Sequence, residues 1–253
     1  MNAITASSWP YPRWIAHRGA GKLAPENTLA AFRLGAQHGY RMFECDAKLS
    51  ADGVPFLLHD ATLERTTNGR GTGGDLPLGA LAQLDAGSWH SRAYAGEAVP
   101  TLEALARFCI ANGYFLNIEI KPTPGQEETT GRVVGETAAR LWQGQAVPPL
   151  FSSFKPDALA GAQATAAHIP RALLLDTLWD GCLDTARRLG CVAIVCNHAL
   201  WDAALVAQVK GMGMRTLSYT VNDDWAAQRL IALGTDGIIT DRVDIFSPCT
   251  ASS

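Results

Sequence analysis

The sequence is short of several features that would each have announced a function. None of its six cysteines (Cys45, Cys109, Cys182, Cys191, Cys196 and Cys249) belongs to a Cys-x-x-Cys pair, so no thiolate metal knuckle is indicated. Several sit in apolar runs, as Cys191 and Cys196 do around Val-Ala-Ile-Val, where a thiol acts as a small hydrophobe. Reduced thiols in the cytoplasm are the expectation. Positive charge is not in excess either: Lys and Arg total 21 against 24 Asp and Glu, a formal net charge of −3. No global field draws the protein to nucleic acid or anionic lipid, and an anionic substrate must find its cations locally. No stretch approaches the ~18 apolar residues of a spanning helix. The start, Met-Asn-Ala-Ile-Thr-Ala-Ser-Ser-Trp-Pro, has neither the basic region nor the apolar run of a secretory signal. These absences predict a cytoplasmic protein with no stable membrane association and no nucleic-acid partner. Internal repeats, low-complexity tracts and inter-domain linkers are also missing.

What is present is an ordinary globular composition, 47% hydrophobic and 18% charged over 253 residues. A closed α/β barrel needs roughly 250 residues, so the length suits one such unit. Strand-like runs occur at 14–17, 41–49, 114–120, 149–152, 171–175, 192–196, 215–221 and 236–240. Helix-length Ala-, Leu- and Gln-rich stretches lie between most of them, at 101–111, 128–143, 155–167, 180–189, 202–210 and 223–233. An earlier helix is expected to open at Pro25-Glu26-Asn27-Thr28 and to end at Gly39. Strand–helix alternation implies a parallel sheet, and eight such units close as a (β/α)8 TIM barrel. The predicted organisation is therefore a single domain over 1–253.

One apolar run, Val54 to Leu58, is surplus to the eight. It follows the second strand too closely for a helical crossover, so it should return antiparallel as a hairpin turning at Asp52-Gly53. With those two residues as the loop, Ala51 faces Val54 and His59 falls opposite Asp46, beside the carboxylates of the second strand. Residues 60–100, rich in Gly, Thr, Asn and Asp, then form a small inserted segment before the third barrel strand. It is anchored near the barrel mouth.

Barrel enzymes build their sites at the C-terminal ends of the strands. Here those ends carry His17-Arg18, then Glu44 and Asp46, then Asn117-Ile118-Glu119-Ile120-Lys121. Positions 117, 119 and 121 share one face. Charges buried in such strands are costly unless paired or bound to an ion. Glu44, Asp46 and Glu119 make a hard oxygen cluster of the kind that suits Mg²⁺ or Ca²⁺. A cluster merely salt-bridged to Arg18 and Lys121, with no ion, is the competing reading. His17 and His59 offer imidazoles for acid–base work, and Arg18 and Lys121 offer cations for a phosphate. The set forms a kit for phosphodiester cleavage. His38 and His90 read as surface residues and His168 as a helix end, whereas Asn197 and His198 could reach the mouth. Trp89, Phe154 and Tyr219 read first as packing residues, with Tyr219 the best candidate for lining the pocket.

These residues resemble a known family. His17-Arg18-Gly19, Ala24-Pro25-Glu26-Asn27-Thr28 and Glu44-Cys45-Asp46 are similar to the opening signature of the glycerophosphodiester phosphodiesterases. The run from His59-Asp60 to Asn68-Gly69 continues the likeness, as do Glu119-Ile120-Lys121, Ser152-Ser153-Phe154, Thr220-Val221-Asn222 and Gly237-Ile238-Ile239-Thr240-Asp241. The order holds from about residue 12 to 245. Trp9-Pro10-Tyr11-Pro12 and the segment from Gly19 to Ala31 resemble the family's bacterial cytoplasmic members associated with glycerol 3-phosphate uptake.

The resemblance implies a TIM barrel that hydrolyses small glycerophosphodiesters to sn-glycerol 3-phosphate and an alcohol. His17 and His59 would be the acid–base pair. Glu44, Asp46 and Glu119 would bind one divalent cation, Mg²⁺ rather than Ca²⁺ by analogy with cytoplasmic members. Arg18 and Lys121 would hold the phosphate, with Tyr219 lining the pocket where many members carry Trp. Two further readings keep the barrel: phospholipase D-like action on lysophospholipids, and a non-catalytic barrel that only binds glycerophosphodiesters. The intact histidine pair and carboxylates favour hydrolysis over mere binding. The missing secretory signal speaks against the lipid enzyme.

Overall fold

The computed structural model describes residues 9–246 and 248. Cys249 and the segment ahead of Trp9, both read above, lie outside the described residues. Nine strands are found among those described: β1 (Trp14–Ala16), β2 (Met42–Leu49), β3 (Pro55–Leu57), β4 (Phe115–Ile120), β5 (Leu150–Ser153), β6 (Arg171–Leu175), β7 (Ala193–Asn197), β8 (Arg215–Tyr219) and β9 (Gly237–Thr240). All except β3 pair in parallel, and β1 closes the ring by pairing with both β9 and β2. The result is a (β/α)8 TIM barrel.

Crossovers are supplied by α1 (Leu29–Gln37), α3 (Leu102–Asn112), α4 (Glu127–Leu141), α5 (Pro156–Thr165), α6 (Cys182–Arg188), α7 (Ala203–Gly211) and α8 (Asp224–Ala232), while a short α2 (Leu78–Leu81) sits in the segment after β3. Local chemistry starts several of them. The side chains of Thr28, Thr101, Asp202 and Asp223 each accept a hydrogen bond from the backbone N–H three residues on, an N-cap worth about 1 kcal/mol. The first helix therefore begins at Leu29 rather than at Pro25, and Pro25 to Thr28 form its entry loop.

Alternation along the strands separates two apolar layers. Ile15, Met42, Leu150, Leu174, Val195, Leu217 and Ile239 pack together inside the barrel. Phe32, Phe43, Leu102, Ile118 and Leu230 belong to the larger core between barrel and helices. The five described cysteines are buried free thiols. No helix among the described residues is long and apolar enough to cross a membrane.

The surplus run is the antiparallel arm expected, but its register differs by one residue. Lys48 pairs with Phe56 and Leu49 with Pro55, and the Leu58 N–H donates to the Asp46 carbonyl, so Leu58, not His59, stands opposite Asp46. The turn contains three residues, not two. Gly53 N–H donates to the Ser50 carbonyl, and Gly53 at φ +77° supplies the left-handed step that completes a three-residue loop. Asp52 stabilises this form by accepting from Ser50 Oγ and from the Leu78 N–H. Residues 60–100 carry a small apolar cluster of their own, with Leu63, Leu81, Ala86 and Val99 packed on Phe56 and Leu58.

Candidate active site

The register of the parallel strands sets the carboxylates side by side. Asp46 pairs with Glu119 and Glu44 with Asn117, so four inward residues of β2 and β4 form two adjacent rungs. Oxygen atoms of Glu44, Asp46 and Glu119 lie within 4.8 Å of one another. Glu44 and Asp46 are almost wholly buried. Crowding and burial act differently on the three. Burial and the charge of Asp46 push Glu44 up to about 8 and also raise Glu119. Burial would raise Asp46 too, but Arg18 and Lys121 overcome it and hold Asp46 well below the usual carboxylate range.

His17 follows the last residue of β1, with its backbone N–H tied to the Thr240 carbonyl on β9. Its Nδ1 is 2.7 Å from Asp241 Oδ1, and Nε2 is 3.8 Å from Glu44 Oε2. Asn222 clamps Asp241 by donating from Nδ2 to Oδ2 and by accepting the Asp241 N–H at Oδ1. Burial works against a charged His17, but the Asp241 hydrogen bond and the Glu44 charge outweigh it, so the imidazole is raised above its ordinary value.

His59 lies just past β3, where its Nδ1 is 2.7 Å from Asp60 Oδ1. Here burial, with Arg18 and Lys121, prevails over the charge of Asp46, and the imidazole is lowered. Despite the shifted register, His59 is thus close enough to the cluster to feel its charges. Arg65 ties the two walls of the mouth together. It donates to both oxygens of Asp60 and, through two N–H groups, to both oxygens of Glu26, whose Oε1 also accepts from Arg18 Nη1.

Arg18 and Asn27 are the two non-glycine residues at positive φ among the described residues, +49° and +59°. The strain places useful atoms. The Arg18 N–H donates to Glu44 Oε2, and Arg18 Nε lies 3.2 Å from Asp46 Oδ2. Asn27 grips Asp46 from both ends of its amide, donating to Oδ2 and accepting the backbone N–H. Lys121 Nζ stands 3.0 Å from Glu119 Oε1 and 3.4 Å from Asp46 Oδ1. Lys48, on the same face of β2, donates to the Lys121 carbonyl, and burial together with Lys121 lowers it to about 8.

All of the residues expected at the site except Tyr219 join this one network of contacts and charges. Tyr219 lines a recess beside it together with His17, Glu44, Glu119 and Phe154. Tyr219 Oη donates to the Leu175 carbonyl, and its ring packs edge-on against Phe154. His198 does not line that recess; it sits in a 3-10 turn after β7 that Asn197 caps. His90 is half-buried, with Nε2 3.0 Å from the Lys22 carbonyl. Glu26, Asn27, Asp60, Arg65, Asn222 and Asp241 had no assigned role in the sequence reading. Their signal was there, since each lies in a motif quoted above, but only folding brings Asp241 to His17 across 224 residues.

A family model, the glycerophosphoryl diester phosphodiesterase family, matches residues 17–245. The chain belongs to this family. Its relatives include a glycerophosphodiester phosphodiesterase of Caldanaerobacter subterraneus, 33% identical over 233 residues that cover 90% of this chain and 93% of the relative. The Bacillus subtilis protein YhdW is 34% identical over 240 residues, covering 92% and 95%. Among solved structures, an Oleispira antarctica phosphodiesterase in complex with the product sn-glycerol-3-phosphate superposes with a TM-score of 0.86 at 36% identity, covering 93% of this chain and 95% of that one. The chain is thus a phosphodiesterase of the glycerophosphodiester class by kinship.

The carboxylate cluster fits a hard divalent cation. Glu44 Oε1 and Asp46 Oδ1 are buried and make no hydrogen bond, Asp46 Oδ1 having only the Lys121 ammonium at 3.4 Å. Buried anionic oxygens left in this state are expensive unless a cation coordinates them. Arg18 and Lys121 neutralise Asp46 but leave Glu44 and Glu119 raised, so the local charge balance still favours a further cation.

Proposed function

We propose that the chain hydrolyses glycerophosphodiesters to sn-glycerol 3-phosphate and an alcohol, with His17 and His59 as the acid–base pair. The observation that carries this reading is the placement of two imidazoles, each anchored at Nδ1 by its own carboxylate, beside one cluster of three carboxylates and two cations. A carboxylate on Nδ1 fixes the tautomer and leaves Nε2 for the substrate. Kinship with the product-bound Oleispira antarctica enzyme supports the choice of substrate.

In this mechanism Arg18 and Lys121 grip the phosphate, Arg18 by its planar fork and Lys121 as a point charge. Glu44, Asp46 and Glu119 would hold one divalent cation, a hard one because all three donors are oxygens, and Mg²⁺ rather than Ca²⁺ by analogy with the family's cytoplasmic members. When bound, the ion neutralises negative charge on the phosphoryl oxygens. One imidazole takes a proton from the attacking group, either water or a glycerol hydroxyl whose cyclic phosphate water then opens, and the other returns a proton to the departing alkoxide. Asp241 and Asp60 keep these rings aimed. Phe154 and Tyr219 wall one side of the substrate. The unit that does this spans the chain, with 60–100 as an insertion that supplies Arg65 and closes one side of the mouth. The reading places the enzyme in the cytoplasm, in keeping with its buried free thiols.

The test is a glycerol 3-phosphate release assay on glycerophosphocholine, glycerophosphoethanolamine and glycerophosphoglycerol, with Mg²⁺, Ca²⁺ or chelator. Release with Mg²⁺ that chelator abolishes is expected. His17→Ala and His59→Ala should each lose turnover while keeping the wild-type circular dichroism spectrum. Activity indifferent to chelator would remove the ion from the mechanism. Near-wild-type rates in either variant would remove the acid–base assignment. Fast-quench detection of cyclic glycerophosphate separates attack by the substrate's own hydroxyl from attack by water.

A further inference from the structure

Below the carboxylate rung the barrel interior changes character. Asn117 lies one inward position below Glu119 on β4, and Ser152 on β5 pairs directly with Glu119. Both side chains are buried. Neither makes a hydrogen bond: Asn117 Nδ2 and Oδ1 and Ser152 Oγ all lack a partner, as does Glu44 Oε1 beside them. A closed barrel interior is normally packed with apolar side chains, and a buried amide with both ends unpaired is rare. These residues line a cavity of about 20 Å³, whose other walls include His17, Glu119, Leu174, Ile239, Phe154 and Tyr219. The volume suits one water molecule or one hydroxyl group.

We propose that this recess is a hydroxyl subsite, in which Asn117 and Ser152 bind a hydroxyl of the substrate's glycerol moiety and so select glycerol esters over other phosphodiesters. The inference rests on the phosphodiesterase reading above and adds the part of the substrate that the recess takes. The chemistry of the lining narrows the occupant. An amide offers a donor and an acceptor, and a serine hydroxyl offers both as well, which matches a group that itself donates and accepts. A phosphate would meet the carboxylates of Glu44 and Glu119 in the lining. A trimethylammonium head group has no hydrogen bond to give and exceeds the space. Sites that hydrogen-bond a substrate hydroxyl discriminate strongly against analogues lacking it, because their buried polar groups are then left unpaired.

The experiment compares binding of sn-glycerol 3-phosphate and n-propyl phosphate, the same phosphate without the hydroxyls, by calorimetry on the Mg²⁺-loaded protein. Wild type should bind the glycerol compound at least tenfold more tightly. Asn117→Leu should bring the ratio close to one. Ser152→Ala, which removes a single oxygen and spares the fold should the leucine variant fail to accumulate, should lower it several-fold. Glycerophosphocholine hydrolysis is measured on the same wild-type preparation. Hydrolysis by a wild type that does not discriminate would overturn the subsite alone. Discrimination unmoved in Ser152→Ala and in a folded Asn117→Leu would also overturn it, leaving the recess to a trapped water. A wild type that neither hydrolyses nor discriminates would overturn the phosphodiesterase reading together with the subsite.

Discussion

Binding of a divalent cation to Glu44, Asp46 and Glu119 should expel a proton, and the amount follows from the charge crowding. In the metal-free protein Glu44 is pushed up to about 8 by burial and by Asp46. With that value the group is about 90% protonated at pH ~7, so the ion displaces roughly 0.9 proton there and only about 0.1 at pH ~9. Titrating Mg²⁺ by calorimetry in PIPES and in Tris, whose ionisation enthalpies differ, reads the proton number from the difference in observed heat. Glu44→Gln keeps the shape but has nothing to release, so most of the signal and much of the affinity should vanish. The stability of the metal-free protein carries the same information with a definite sign. A carboxylate raised in the fold contributes stability below its ordinary value of 4.5 that is lost as pH climbs through about 8. The gain in melting temperature on adding Mg²⁺ should therefore widen between pH ~5 and ~8. Release below roughly 0.2 proton at pH ~7, or release unchanged in Glu44→Gln, would refute the assignment of Glu44 as a crowded ligand.

Three further outcomes follow from the contacts around the histidines. Asp241→Asn replaces the carboxylate whose hydrogen bond does most to raise His17, so its imidazole, followed by NMR in metal-free protein, should titrate at lower pH than in wild type. Because a raised histidine stabilises the fold below its unfolded value near 6.5 and loses that contribution as pH rises through the folded value, the stability gap between wild type and variant should shrink from pH ~6 to ~9. Arg65→Gln breaks charged hydrogen bonds to both Asp60 and Glu26, and kcat for glycerophosphodiesters should fall about 10–100-fold; a kcat within twofold of wild type would show that the clamp does not set His59. Gly21→Ala puts a Cβ 2.2 Å from the Asp241 carbonyl oxygen at a φ of +56°, and should lower the melting temperature and the turnover together. An unchanged melting temperature would mean that the loop over Asp241 yields freely.

The residues themselves determined the architecture and most of the chemistry. Eight apolar runs separated by helix-length stretches admit little besides a parallel barrel, because parallel strands need long crossovers. Polar residues alternating at Glu44, Asp46 and Glu119 within otherwise buried strands mark a site for the same energetic reason: charges are kept there only when paired or ligating. His17, Arg18 and Lys121 could be read at strand ends from position alone. The tertiary structure decided what depends on register and on contacts between distant segments. A turn of three residues instead of two moved His59 off Asp46, since hairpin pairing is set by how the loop closes, and Ser50 and Asp52 close this one by side-chain bonds that strand patterning does not encode. Asp241, Asn222 and Arg65 became visible as partners only when β9 met β1 and the inserted segment met the loop before α1. The unpaired amide of Asn117, read in the sequence as one more polar residue on a strand, acquired meaning from the empty space beside it. Which polar groups are left without a partner is a property of packing, and packing belongs to the folded chain.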